Sequence, residues 1–143
     1  MRACSLFIAA ILFLSLAAFA QKPASSIAGV WKGESTCAIN DSPCKNKQVL
    51  FEITHAATPS TTSDANSPPN WMMDQYVIAD GKKQFVHTLR CSYEESKSNL
   101  SCKPTGDIDW EFFFDGETAK GTMTLGKQKV LIITINAKRI SKS

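Results

Sequence analysis

Apolar and polar residues alternate with a period of two along most of this chain after its first twenty residues. Such alternation places successive side chains on opposite faces of a β-strand, and no segment there has the period of about 3.6 residues that indicates an amphipathic helix. Short turns, several of them containing glycine, separate most of the runs and predict antiparallel neighbours. The eight predicted strands are Val30–Cys37, Gln48–Thr54, Met72–Ile78, Gln84–Tyr93, Asn99–Lys103, Asp109–Phe114, Thr118–Leu125 and Val130–Lys138.

One face of the predicted sheet is apolar. Four strands contribute most clearly to this inner face, through Val49, Phe51, Ile53, Phe85, His87, Leu89, Trp110, Phe112, Phe114, Leu131, Ile133 and Ile135. A meander with a continuous apolar face must cover that face and its two edge strands, and closure into a barrel does both. We therefore expect an all-β, eight-stranded, antiparallel up-and-down barrel, with an immunoglobulin-like β-sandwich as the alternative.

Residues 1–20 have the features of a cleavable secretory signal. Arg2 gives a positive start, Leu6–Leu14 is apolar throughout, and Ala18 and Ala20 flank Phe19 in a small-x-small cleavage site. The apolar run is short for a membrane span. We expect an exported protein, periplasmic or extracellular, whose mature form is one domain over residues 21–143 without a membrane anchor.

Four cysteines follow the signal, and export favours their pairing as disulfides. If Cys91 faces Cys102 across a hairpin, Tyr93 faces Leu100 and one face of the hairpin becomes apolar while the other becomes polar, as a half-buried hairpin requires. This register favours a Cys91–Cys102 disulfide. Elimination then pairs Cys37 with Cys44. The spacings are not those of zinc sites, and we expect no metal.

Charge and catalytic motifs exclude several functions. The whole chain has a formal net charge of +3, which loss of Arg2 lowers by one, too little to indicate nucleic-acid binding. His55 and His87 are its only histidines; His55 is expected in solvent, and His87 as a hydrogen-bonded core residue. No nucleophile elbow, paired carboxylates or phosphate-binding loop accompanies them. We expect a non-enzymatic protein without a cofactor.

The first strand opens with Gly29-Val30-Trp31. Gly-x-Trp at the start of an exported eight-stranded barrel resembles the lipocalins and their calycin relatives, and especially small bacterial lipocalin-like domains of unassigned function. In those families the Trp closes one end of the barrel beneath an Arg near the chain's end, a position that Arg139 occupies here. Residue parity on the last strand also puts Arg139 on the inner face, so we expect a cation–π contact with Trp31. Two expected features differ from secreted lipocalins: the sequence predicts no counterpart of their C-terminal helix, and the cysteine pairs are local.

The resemblance implies that a small apolar or anionic amphiphilic ligand binds inside the barrel. The candidate interior residues are Phe51, Phe85, His87, Trp110, Phe112 and Met123. Small inward residues such as Ser35 and Gly121 leave room for a ligand. Lysines predominate in the loops at the open end, and Lys82, Lys83 and Lys127 are the candidate mouth charges that would attract an acidic head group.

A filled barrel would instead favour a protein-binding module, such as an exported inhibitor or an envelope interaction domain that acts through its loops. The segment 56–70 is rich in Ala, Thr, Ser and Pro and cannot form a core. We expect a flexible loop there, which could serve recognition or have no role. The sequence names no protein partner.

Overall fold

The computed structural model describes residues 26–39, 44–56, 70–104 and 106–142. The predicted signal at residues 1–20 lies outside the described residues, as does nearly all of the predicted loop at 56–70. Within the described part of the chain no helix is long and apolar enough to cross a membrane.

Eight antiparallel strands in sequential order form a closed barrel, which confirms the predicted fold class. Each strand pairs with its neighbours along the chain, and β8 returns to pair with β1. A single 3₁₀ turn, Glu95–Lys97, connects β4 to β5. The strands are β1 Gly29–Cys37, β2 Lys47–His55, β3 Asn70–Ala79, β4 Lys82–Glu94, β5 Asn99–Cys102, β6 Ile108–Asp115, β7 Thr118–Leu125 and β8 Val130–Ser141.

The β4–β5 hairpin has the register that polar and apolar alternation predicts. Cys91 pairs with Cys102 and Tyr93 pairs with Leu100. The structure contains both expected disulfides: Cys91–Cys102 within the barrel wall, and Cys37–Cys44, which joins the last residue of β1 to the segment before β2. Cys91 and Cys102 are both buried, so this bond is part of the core and also ties the short strand β5 to β4.

One end of the barrel, where β1 begins and β8 ends, is filled by side chains, and we call it the closed end. Trp31 and Arg139 are direct cross-strand neighbours there, and the guanidinium carbon lies 4.6 Å from the centroid of the indole ring. The Trp31 ring also packs edge-on against Phe114, at 4.9 Å between centroids, and its Nε1 donates a hydrogen bond to the Ile27 carbonyl. Trp31 therefore joins the first and last strands to the core.

The Arg139 side chain is only 4% exposed, and its charge is partly compensated. Arg139 Nε lies 3.5 Å from Glu117 Oε2, and the Arg139 backbone N–H donates to the Glu117 carbonyl at 2.9 Å. The cation–π contact with Trp31 is worth about 0.5–2 kcal/mol in such settings. The contact between the Trp31 indole ring and the Arg139 guanidinium group thus links β1 to β8 at the closed end.

Two β-bulges near the opposite, open end change which side chains face inward. Gln75 pairs with His87 and Tyr76 pairs with Phe85, so Val86 is an extra residue in β4. The extra residue reverses the side-chain alternation, and Phe85 lies on the outer wall with 59% of its surface exposed. The expectation that Phe85 faces inward is therefore wrong. A second bulge, at which Ile132 of β8 has no partner in β7, turns Leu131 outward in the same way.

Truncation of Trp31 should unfold the barrel more readily than truncation of an exposed aromatic residue. Trp31 is 1% exposed and Phe113 is 51% exposed. We expect Trp31→Ala to lower the free energy of unfolding by about 3–5 kcal/mol, because a buried indole ring is lost. Phe113→Ala should change it by about 0.5 kcal/mol or less. Urea unfolding followed by circular dichroism measures both, and equal losses would contradict the assignment of Trp31 to the core.

Candidate functional site

Large side chains fill the closed half of the barrel. Phe51 and Phe112 are buried and pack edge-on with their ring centroids 5.2 Å apart. Gly121 is opposite Phe112 on β7, and a Cβ atom at Gly121 would lie 2.5 Å from the Phe112 ring. The glycine therefore makes room for a neighbouring aromatic ring and does not leave space for a ligand in this half.

A pocket of about 340 Å³ occupies the open half of the barrel. Its volume is at the lower end of the range of about 300–1,000 Å³ that small-molecule sites have. Strands β1, β2, β3, β4, β6 and β8 all contribute to its wall. The lining residues are Ser35, Cys44, Lys45, Lys47, Val49, Gln75, Val77, Val86, His87, Trp110 and Ile133.

The pocket wall is mostly apolar but contains two polar atoms without a partner. The Gln75 side chain is 7% exposed, and its Oε1 accepts no hydrogen bond from the residues that the structure describes. His87 Nε2 is likewise buried and without such a partner. Buried polar atoms are normally hydrogen-bonded, so these two mark a place where a ligand or water would complete the site.

His87 lies beside Trp110 in the pocket wall. The two rings are edge-on with centroids 6.3 Å apart, and Trp110 in turn stacks parallel to Phe112 at 6.2 Å. Burial lowers the pKa of His87 from its ordinary value of 6.5. The imidazole is therefore neutral at pH 7 and can act as a hydrogen-bond donor at one nitrogen and an acceptor at the other. The expectation that His87 is a hydrogen-bonded core residue does not hold for Nε2.

The positive charges at the pocket come from other lysines than those chosen from the sequence. Lys45 and Lys47 line the pocket. Lys82 and Lys127 are exposed at the open end but do not line it. Lys83 was expected at the mouth and lies instead on the outer wall, which corrects that expectation.

Lys83 is held on the outer wall by Glu52 and Tyr76. Its ammonium group donates a hydrogen bond to Glu52 Oε1 and lies 3.7 Å from the centroid of the Tyr76 ring. The hydrogen bond to Glu52 raises the pKa of Lys83. The Tyr76 hydroxyl donates to the other oxygen of Glu52 at 3.2 Å. Lys83 is thus occupied by these contacts and points away from the pocket.

The six interior candidates divide into three groups. His87 and Trp110 line the pocket. Phe51 and Phe112 belong to the filled half, and Met123 is half-buried and packs against the core. Phe85 lies outside the barrel. Gln75 was missed, although it occupies an inward position of β3 between Met73 and Val77, where a polar residue on an apolar face is a usable signal.

The described residues contain no group of three or more His, Cys, Asp or Glu side chains that could hold a metal ion. No protein-family model matches this chain, and no curated protein matches its sequence. The resemblance to the lipocalins therefore rests on three features of this chain. They are the Gly29-Val30-Trp31 motif, the contact of Arg139 with Trp31, and the closed barrel.

The lowered pKa of His87 predicts a loss of stability in weak acid. Between that pKa and 6.5 the unfolded chain binds more protons than the folded one, so the free energy of unfolding falls as the pH falls through about 6.5. The His87→Gln variant should lose less stability between pH of about 7.5 and about 5. The His55→Gln variant retains His87 and should retain the loss. Urea titrations measure this, and an NMR titration that placed the pKa of His87 at or above 6.5 would contradict it.

Proposed function

We propose that this chain is a non-enzymatic exported barrel that binds a small apolar or amphiphilic molecule in its open-half pocket. The observation that carries the proposal is the pocket of about 340 Å³ with an apolar wall, two unpartnered polar atoms and two lysines among its lining residues. Apolar lining with a few placed polar groups is the usual composition of small-molecule sites. The lipocalin-like motif supports the same proposal, and we infer membership of that group from it.

Export is part of the proposal. Two disulfides in so small a domain are typical of proteins from oxidising compartments, and one of the two is buried in the core. A periplasmic or extracellular location would supply both the oxidising conditions and access to lipids or other amphiphiles.

The pocket suggests how the ligand would be oriented. Val49, Val77 and Ile133 offer an apolar surface, so a hydrocarbon or ring system would be desolvated against them. An acidic head group would gain from Lys45 and Lys47. A hydroxyl or amide N–H on the buried part of the ligand would satisfy Gln75 Oε1, which a pure hydrocarbon would leave without a partner.

The second candidate function is the binding of a protein segment. A different feature of the barrel supports it: the part of β4 before Cys91 pairs with β3 on one side and with no described strand on the other.

The unpartnered amide oxygen of Gln75 should lower the stability of the free protein while it offers a hydrogen-bond acceptor to a ligand. Gln75→Leu removes a buried amide without a partner for its oxygen and keeps a side chain of similar size, so we expect the free energy of unfolding to rise by about 1 kcal/mol. Gln84→Leu, at an exposed position of β4, should give no such rise. Urea unfolding measures both variants. A loss of stability in Gln75→Leu would show that the amide is satisfied in the folded protein.

Acidic amphiphiles should bind the barrel more tightly than the matching alcohols. The probes are octanoic, dodecanoic and hexadecanoic acids and their alcohols, measured by calorimetry and by quenching of Trp110 in a Trp31→Phe/Trp71→Phe background. Lys45→Gln/Lys47→Gln should weaken binding of the acids about five-fold and leave the alcohols unchanged, because exposed charges contribute about 1 kcal/mol. Lys32→Gln/Lys138→Gln removes the same charge from the outer wall and should have no effect.

Two further variants test the location of the ligand. Val77→Phe places a ring in the pocket and should abolish binding, whereas Ile78→Phe adds a ring at the next position, on the opposite face of β3, and should not. No saturable binding of any probe to the wild type would overturn the proposal. Binding to Val77→Phe with wild-type affinity would place the ligand elsewhere.

A further inference from the structure

The barrel wall has a slot beside β4. Strand β4 is 13 residues long, but its partner β5 has only 4. Pairing between them covers Cys91–Glu94. The preceding part of β4, Lys82–Arg90, pairs with β3 on one side and with no described strand on the other. We call this unpaired side of Lys82–Arg90 the β4 edge.

The described residues of the connection from β5 to β6 add no strand to the β4 edge. Pro104 has no backbone N–H and cannot continue the ladder after Cys102. The Asp107 carbonyl accepts a hydrogen bond at 2.7 Å from Gly126 N–H, in the β7–β8 turn on the far side of β6. Outside the strand ladders, no backbone hydrogen bond among the described residues joins this connection to the β4 edge.

The register identifies backbone groups that face the slot. Cys91 and Cys102 are directly opposed with their Cα atoms 4.1 Å apart, the close spacing of a non-hydrogen-bonded antiparallel pair. The N–H and C=O groups of Cys91 therefore point towards β3. Because these groups alternate along a strand, those of Arg90 and Thr88 point away from β3. Arg90 lies at the border of the slot, opposite Lys103, and Thr88 lies within the slot. An unpaired row of such groups is a template for an added strand.

The slot opens onto the interior pocket. Val86 and His87 line the pocket from β4, and Trp110 lines it from β6. Val86 is 46% exposed, so an apolar surface is accessible beside the unpaired backbone. A side chain from an added strand could contact Val86 and Trp110 while its backbone pairs with Thr88 and Arg90.

Basic residues border the β4 side of the slot, and the nearest acidic residue there, Asp74 on β3, accepts a hydrogen bond from the Thr88 hydroxyl. Arg90 lies on the outer face of β4, Lys103 directly follows Cys102, and Lys82 begins β4. None of the three forms an ion pair with an acidic residue in the part of the chain that the structure describes. Asp109 lies on the opposite wall, at the start of β6. The β4 side of the slot therefore complements acidic side chains.

We propose that the β4 edge binds an extended, acidic peptide segment of a partner protein as an added strand. Backbone hydrogen bonds to Thr88 and Arg90 give the affinity, and acidic side chains beside Arg90 and Lys103 together with an apolar side chain at Val86 give the specificity. A second copy of this chain fits less well, because antiparallel pairing of two β4 edges about Val86 places Lys82 against Arg90. The proposal goes beyond small-ligand binding and does not depend on it.

Amide hydrogen exchange measured by NMR tests the edge in the free protein. The Thr88 and Arg90 amides should exchange at least ten-fold faster than those of Leu89 and Cys91, whose N–H groups point towards β3. Protection of Thr88 and Arg90 in the free protein would show that the edge is already covered and would overturn the proposal.

Peptide binding tests the occupant. The probes are peptides selected from a phage-displayed library of random linear sequences against the full chain. We expect alternating apolar and acidic residues in the selected peptides, and slowed exchange of the Thr88 and Arg90 amides in their complexes. Thr88→Pro removes one edge N–H and should weaken binding at least ten-fold, with folding checked by circular dichroism.

A charge-reversal variant tests peptide binding without the backbone change that Thr88→Pro introduces. Arg90→Glu/Lys103→Glu should weaken binding at least ten-fold, and Lys32→Glu/Lys138→Glu, with the same charge change on the outer wall of β1 and β8, should not. Selected peptides that bind without slowing exchange at Thr88 and Arg90, or that respond equally to both charge variants, would overturn the proposal. A failure to select any peptide would also overturn the proposal. This includes the case in which sedimentation shows that the chain self-associates through this edge.

Discussion

The pairing of β1 with β8 is the constraint on which the rest of this barrel depends. Without it the meander would have two open edges and an apolar face exposed to water. Trp31 reinforces the pairing because its ring contacts Arg139 from the last strand and Phe114 from β6. One residue near the start of the domain thus connects three strands, and the closed end is filled as a consequence.

Side chains fill the closed end of the barrel. The sizes of the inward side chains at the other end therefore determine whether a pocket forms there. Large rings such as Phe51, Phe112 and Phe114 lie towards the closed end, whereas Ser35, Val49 and Val77 line the open half. A barrel of eight strands is just wide enough for side chains to fill its interior or for one small ligand. Smaller residues in one half therefore produce a pocket without any change in topology.

The short strand β5 imposes a second asymmetry. Because β5 ends at Cys102, two residues before Pro104, the barrel wall is complete at the level of the Cys91–Cys102 disulfide. Towards the open end, no described strand pairs with that side of β4. The slot borders the same pocket through His87 and Trp110. The interior pocket and the unpaired edge are thus neighbouring consequences of where one strand stops, so the proposed small ligand and the proposed peptide would bind at adjacent places.

Local patterns in the sequence were sufficient for the fold. Period-two alternation and turn residues specify eight strands in meander order, and the polar and apolar faces of the β4–β5 hairpin determine its register and its disulfide. The Trp31–Arg139 contact also follows from parity, since no bulge lies between Ile133 and Arg139 on the inner face of β8. These features depend on short stretches of chain or on one count along a strand.

Other features were decided only by tertiary structure. The bulge at Val86 depends on how β4 matches β3, so the outward position of Phe85 could not be read from alternation within β4 alone. Lys83 turns to the outer wall because Glu52, on another strand, accepts its hydrogen bond. The pocket, with Gln75 and Lys47 in its wall, depends on the volumes of side chains from six strands that meet in three dimensions. Alternation reports which face a residue occupies, but not whether the space in front of it is filled.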